Sequence, residues 1–169
     1  MWVAIGAAGL LVLVPRRALG LPIEGTAIRL TPHGDYGAAR KGPPVHAHQG
    51  FDLIAKPGSH VLAIGDGVIV SAAAGLGKIV RKLRLDRPSA WDGGGRRVTH
   101  VVYADLGEPL LKPGARVRRG DPIALVASAG FVHFAVKETR EGNEHFFDPR
   151  EAGLHPSRFT KHVTQKDSA

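Results

Sequence analysis

The 169-residue sequence contains no cysteine. Disulfides and thiolate metal sites are therefore excluded, and any metal must be held by His, Asp or Glu. Aromatic residues are scarce at 6%, and Met1 is the single methionine. No stretch after residue 20 carries a long helical period, so a helical bundle is excluded. Nothing resembles an aromatic-plus-basic platform for bases. The formal net charge of +8 is split among Arg81, Lys82 and Arg84, Arg96 and Arg97, and Arg116, Arg118 and Arg119. This reads as a solvated basic face, or one facing an anionic envelope polymer, and not as a nucleic-acid surface.

Punctuation is what the chain has in quantity. Its 22 glycines and 12 prolines, with Val, Ala, Ile and Leu as the main apolar residues, suit short strands joined by tight turns. After a lead-in with one strand expected at 26–30, the period becomes two. Val61–Ile64, Gly65-Asp66-Gly67 and Val68–Val70 read as strand, turn and strand, a hairpin signal. Lys78–Leu85 and Arg96–Tyr103 read as half-buried strands with a loop at 86–95 between them. Further strands are expected after Lys112–Ala115 and at Phe131–Lys137. Asp148-Pro149 predicts a short helical turn, with Asp as N-cap and Pro at its first position. The expected fold class is mainly β, in a single antiparallel domain.

Residues 2–14 form one apolar run. As a helix it would span roughly 20 Å, short of the ~30 Å hydrocarbon core. Ala18-Leu19-Gly20 then supplies small residues suited to cleavage. Residues 1–20 are read as a signal peptide or an N-terminal membrane anchor, residues 21–155 as the domain, and 156–169 as a polar tail. The expected location is exported, in the periplasm or cell envelope, with membrane attachment available through residues 2–14.

Two segments carry chemistry: His48-Gln-Gly50-Phe-Asp52, and Phe131-Val-His133-Phe. Two imidazoles and a carboxylate leave a fourth position open, the pattern of a catalytic zinc site. His133 sits mid-strand among apolar residues, where a polar ring must find a partner or a metal. From spacing alone, hydrogen-bonded core residues and metal ligands both remain open readings.

The ordered set His48-x-Gly50-x-Asp52, Pro57–Val70, Tyr103-Ala-Asp105-Leu106, Val117–Ala124, Val132-His133-Phe134 and Asp148-Pro149 resembles the lysostaphin/LytM-type zinc peptidases, over roughly residues 25–150. The resemblance implies an antiparallel β-sheet groove, zinc held by His48, Asp52 and His133, and a peptidoglycan peptide or other envelope polypeptide as partner. It also shows departures. Phe131 stands where that family has the first histidine of H-x-H, and Asp105 where it has the histidine of Tyr-x-His-Leu. The loop at Ser128–Gly130 is short. Peptide hydrolysis needs a group to move protons, worth about 10²–10⁴-fold. Phe131 cannot serve, which leaves Asp105 as the base, with Phe131 and Tyr103 expected to line the groove. The alternative is an inactive zinc-binding member that recognises wall peptides or a protein partner. A third resemblance, of Asp66–Val70 and Lys112–Asp121 to biotinyl or lipoyl carrier domains, lacks their modifiable lysine beside a methionine.

Overall fold

Alternation of apolar and polar residues gives strands with two unlike faces. The computed structural model describes residues 19–25, 29–40, 46–75 and 78–156. In chain order the strands are β1 (Arg29–Leu30), β2 (Ala39–Arg40), β3 (His46–Ala47), β4 (Phe51–Ile54), β5 (His60–Leu62), β6 (Gly67–Gly75), β7 (Lys78–Ser89), β8 (Val98–Pro109), β9 (Arg116–Val117), β10 (Pro122–Val126), β11 (Phe131–Arg140) and β12 (Asn143–Phe147). Ten of them join one sheet, with main path β1-β4-β11-β8-β7-β6-β9. In it β10 pairs with β5 and β8, and β12 with β11, while β2 and β3 form a separate ribbon. All the strand pairings are antiparallel. The mainly antiparallel β class expected from the sequence is the class observed.

One face of the central strands makes the core. Phe51 and Leu53 of β4, Leu83 of β7, Val101 and Tyr103 of β8, and Val132, Phe134 and Val136 of β11 are all fully buried there. Tyr103 and Phe134 meet edge to face with centroids 5.6 Å apart, a favoured aromatic geometry. The other face of β4, β8 and β11 carries the polar residues treated below.

The Gly65–Gly67 segment is not a hairpin. β5 pairs with β10, whereas β6 pairs with β7 and β9. Its glycines answer to close approach instead: a Cβ on Gly67 would lie 2.2 Å from the Arg84 carbonyl oxygen, and one on Gly65 3.0 Å from Leu85 Cδ2. Asp66 joins two turns, its carboxylate accepting from Arg119 N and its carbonyl from Asp86 N. The strand after Lys78 runs on to Ser89, so the expected loop at 86–95 begins later. The hairpin of β11 and β12 was not expected. It turns on Glu141 and Gly142, both at positive φ (48° and 79°), as a tight two-residue hairpin loop requires. The turn at Asp148 is present, as a 3-10 helix at Pro149–Ala152 capped by the Asp148 side chain on Arg150 N.

Apart from Leu19 and Gly20, the segment read as a leader or anchor lies outside the described residues, as does the tail beyond Pro156. Of the strand expected at 26–30, only its last two residues are described, and they form β1.

Candidate metal centre

Asp52 lies between buried Phe51 and Leu53, so its side chain takes the opposite face of β4. His133 does the same between Val132 and Phe134. The register places His133 opposite Asp52 on one side and Ala104 on the other. Directly opposite residues in antiparallel strands share a face with close Cβ atoms, so β4 and β11 deliver a carboxylate and an imidazole to one spot.

His48 precedes β4 and is placed by the lead-in. Its N–H donates to Ala38 O, and its carbonyl accepts from Gly37 N. His48 Nδ1 lies 2.9 Å from the Asp35 carbonyl oxygen. A carbonyl can only accept, so Nδ1 carries the proton and the neutral ring presents a bare Nε2. Gly50 lets the chain pass against β11: a Cβ there would meet Phe134 O at 2.5 Å, Ala135 Cβ at 2.9 Å and His133 Cε1 at 3.0 Å.

The three candidate ligand atoms form a tight triangle. His48 Nε2 lies 2.9 Å from His133 Nδ1, His133 Nδ1 3.0 Å from Asp52 Oδ1, and His48 Nε2 3.1 Å from Asp52 Oδ1. Tetrahedral zinc with bonds of about 2.0–2.2 Å sets its ligand atoms roughly 3.3 Å apart. The donor set and spacing therefore fit zinc after an opening of a few tenths of an ångström. Burial lowers the His48 pKa, against the opposing pull of the Asp35 carbonyl and the Asp52 carboxylate. Burial alone would raise that of Asp52, but hydrogen bonds from His133 and Arg40 outweigh it and the pKa is lowered. A neutral imidazole and an ionised carboxylate are the forms that bind metal.

Supporting residues that the sequence did not reveal surround this triangle. Arg40 Nη2 donates to Asp52 Oδ2, the oxygen outside the triangle. Arg150 Nη1 donates to Asp35 Oδ2 at 3.2 Å, while Asp148 holds the same guanidinium through Nε and Nη2. A chain Asp148–Arg150–Asp35–His48 thus fixes the imidazole. Hydrogen-bond partners behind a metal ligand orient it and set its tautomer. Asp148 had a sequence signal as a cap. Asp35, Arg40 and Arg150 had none, because their partners are distant in sequence.

The residues expected to line the site divide. Tyr103 does not line it. It is fully buried on the core face, and its hydroxyl accepts from Ile64 N at 3.2 Å. Burial raises its pKa strongly. Phe131 is two residues from His133 on the same strand face and pairs with Ile54. Asp105 sits at a bulge with φ 58°, a left-handed conformation that Asp tolerates better than most residues. Between β7 partners Ile79 and Arg81, β8 has one extra residue. Tyr103 and Leu106 both remain in the core, which puts Ala104 and Asp105 together on the face of His133.

His48 and His100 share a depressed pKa, each caused first by burial. A folded-state value below the unfolded one gives stability that is present above the unfolded pKa, near 6.5, and lost as pH falls through the folded value. Asp52, Glu138 and Glu144 are lowered as well, so acid acts in the same direction on all five. In chelator-treated protein, Tm should be flat above about pH 7 and fall steadily below about 6.5. His100→Gln should reduce the first part of that fall. A Tm that rises on acidification would contradict this assignment.

Residues 46–149 match the family described as Peptidase family M23. Among solved structures, a zinc-containing peptidase from Vibrio cholerae is similar at 24% identity and TM-score 0.55, covering 78% of this chain and 39% of that one. Lysostaphin, from Staphylococcus simulans, is similar at 25% identity and TM-score 0.54, covering 75% and 51%. LytU is similar at 26% identity and TM-score 0.53, covering 74% and 82%. The chain thus spans about two fifths of the length of the Vibrio protein. With the match covering most of the described strands and every residue of the triangle, the chain belongs to peptidase family M23.

Proposed function

We propose that this chain is a zinc-binding, exported peptidase-family protein that acts on the peptide part of peptidoglycan, with His48, Asp52 and His133 as its metal ligands. The observation carrying this reading is the triangle of three ligand atoms at 2.9–3.1 Å, with His133 partly exposed. The family, the neighbouring peptidases and the apolar run at 2–14 support the envelope location and an envelope polypeptide as partner. When bound at such a site, zinc acts as a Lewis acid on a peptide carbonyl and makes water more acidic.

The protein's own groups then divide the remaining work. Asp105, on the bulge beside Ala104, takes a proton from the attacking water and returns it to the leaving amine. Phe131 holds substrate against an apolar wall and moves no proton. The second reading, an inactive wall-peptide or partner-binding module, is favoured by one observation: Phe131 shares the face of His133, where a proton-moving side chain would be useful.

Asp105→Asn keeps the left-handed backbone but not the basicity. It should lower kcat on wall peptides by about 10² or more with zinc retained. Unchanged activity would clear Asp105. A zinc-loaded parent with no hydrolysis, gaining it on Phe131→His, would favour the inactive reading and show that only proton transfer had been lost.

A further inference from the structure

Arg40 is absorbed by neither the ligand set nor the proposed base. It ends β2, paired with His46 across the ribbon that leads into His48. Its Nη2 donates to Asp52 Oδ2. Among the described residues that carboxylate is its one hydrogen-bond partner, so the other N–H groups of the guanidinium are free to point elsewhere. The His48 and Asp52 side chains are 5% and 10% exposed, whereas those of His133 and Arg40 are 21% and 29% exposed. His133 and Arg40 are therefore the members of this cluster that solvent reaches most.

We propose that Arg40 is a catalytic residue, the donor that holds the oxyanion as a peptide carbonyl is attacked. The proposal rests on the hydrolase reading and deepens it. Hydrolysis turns a neutral carbonyl oxygen into an anion as the water oxygen bonds to carbon. The negative charge needs a fixed donor that is weaker toward the ground state. Phe131 has no donor, and the Asp105 carboxylate would repel an anion. A guanidinium remains charged at all relevant pH values and offers N–H groups in a rigid fork. Its bond to Asp52 fixes it in place and so removes reorganisation at the moment of reaction. The division of labour is then a base at Asp105 and a cationic donor at Arg40, in place of two histidines.

The test compares zinc-loaded parent, Arg40→Ala and Arg40→Lys. Each is titrated with alanine- and glycine-based phosphinate pseudopeptides, whose tetrahedral anion imitates the attacked carbonyl, and with the parent peptides. Zinc content is measured in every variant. Arg40→Ala should keep about one zinc per chain and bind the parent peptides within a few-fold, while losing about a hundredfold in phosphinate affinity. Arg40→Lys should fall between. Equal weakening toward peptide and phosphinate, or unchanged phosphinate affinity, would overturn the proposal. Loss of zinc in both variants would overturn it too, by making Arg40 a positioning residue for Asp52. The two failures are distinguishable. A parent that hydrolyses nothing yet shows the Arg40-dependent preference for phosphinate sinks the hydrolase reading and the catalytic role with it, leaving Arg40 as a residue that binds a tetrahedral anion. A parent that hydrolyses with Arg40 irrelevant sinks only this proposal.

Discussion

His133→Ala is expected to weaken zinc binding by more than about a hundredfold while leaving the metal-free fold nearly as stable as before. Loss of a mere supporting hydrogen bond around a metal typically costs about 10–100-fold, and His133 supplies one of three ligand atoms. What remains is His48 Nε2 and Asp52 Oδ1 at 3.1 Å, two ligands where zinc takes three or more from a protein. The fold should tolerate the change because Asp52 keeps Arg40 as its partner and no buried charge is orphaned. Chelator competition reads the affinity, and a melt in the absence of metal reads the fold. His100→Ala is the control: it lies on the same face of the sheet, with its register partner Lys137 four residues along β11 from His133, and should leave affinity unchanged. A variant still holding zinc within about tenfold of the parent would remove His133 from the ligand set.

The legible parts of this protein were those governed by near neighbours. Period-two alternation around Asp52 and His133 was enough to give each a face, and antiparallel pairing then put them opposite one another. The Asp148-Pro149 cap needed three residues of context and is present. The failures share a different cause. Tyr103 reads locally like a motif residue near the site, yet the bulge at Asp105 keeps both Tyr103 and Leu106 in the core. Gly65-Asp66-Gly67 has hairpin chemistry, but its glycines serve the approach of β7 and not a positive φ. Asp35 and Arg40 looked like loop residues because their work is done on partners at Arg150 and Asp52, far along the chain. Bulges, close approaches and long-range polar chains are set by tertiary packing, which a local pattern does not encode.

Gly50→Ala should show how much of the site depends on one such close approach. Gly50 lies between His48 and Asp52, and its φ is not in the left-handed region. Backbone strain therefore contributes little, and the cost is contact. The added Cβ would fall 2.5 Å from Phe134 O and 2.9 Å from Ala135 Cβ. Both belong to β11, whose backbone is pinned between β4 and β8 and cannot yield like the end of a long side chain. Overpacking of this kind costs about 1–3 kcal/mol, and each kcal/mol lowers Tm by about 2–4 °C in a domain of this size. A drop of roughly 2–12 °C is expected. The site should suffer further, because the third contact is His133 Cε1 at 3.0 Å. Relief of the clash moves β4 away from β11, separating His48 and Asp52 from His133, so zinc affinity should fall by at least the ~10–100-fold of a disturbed supporting shell. Gly142→Ala separates the two effects. It places alanine at φ 79° with nothing within 4 Å, so it should cost stability through backbone strain and leave zinc affinity alone. If Gly50→Ala melts and binds zinc like the parent, β4 and β11 are not held as tightly as the register implies, and the placement of His48 must rest on its bonds to Ala38 and Asp35.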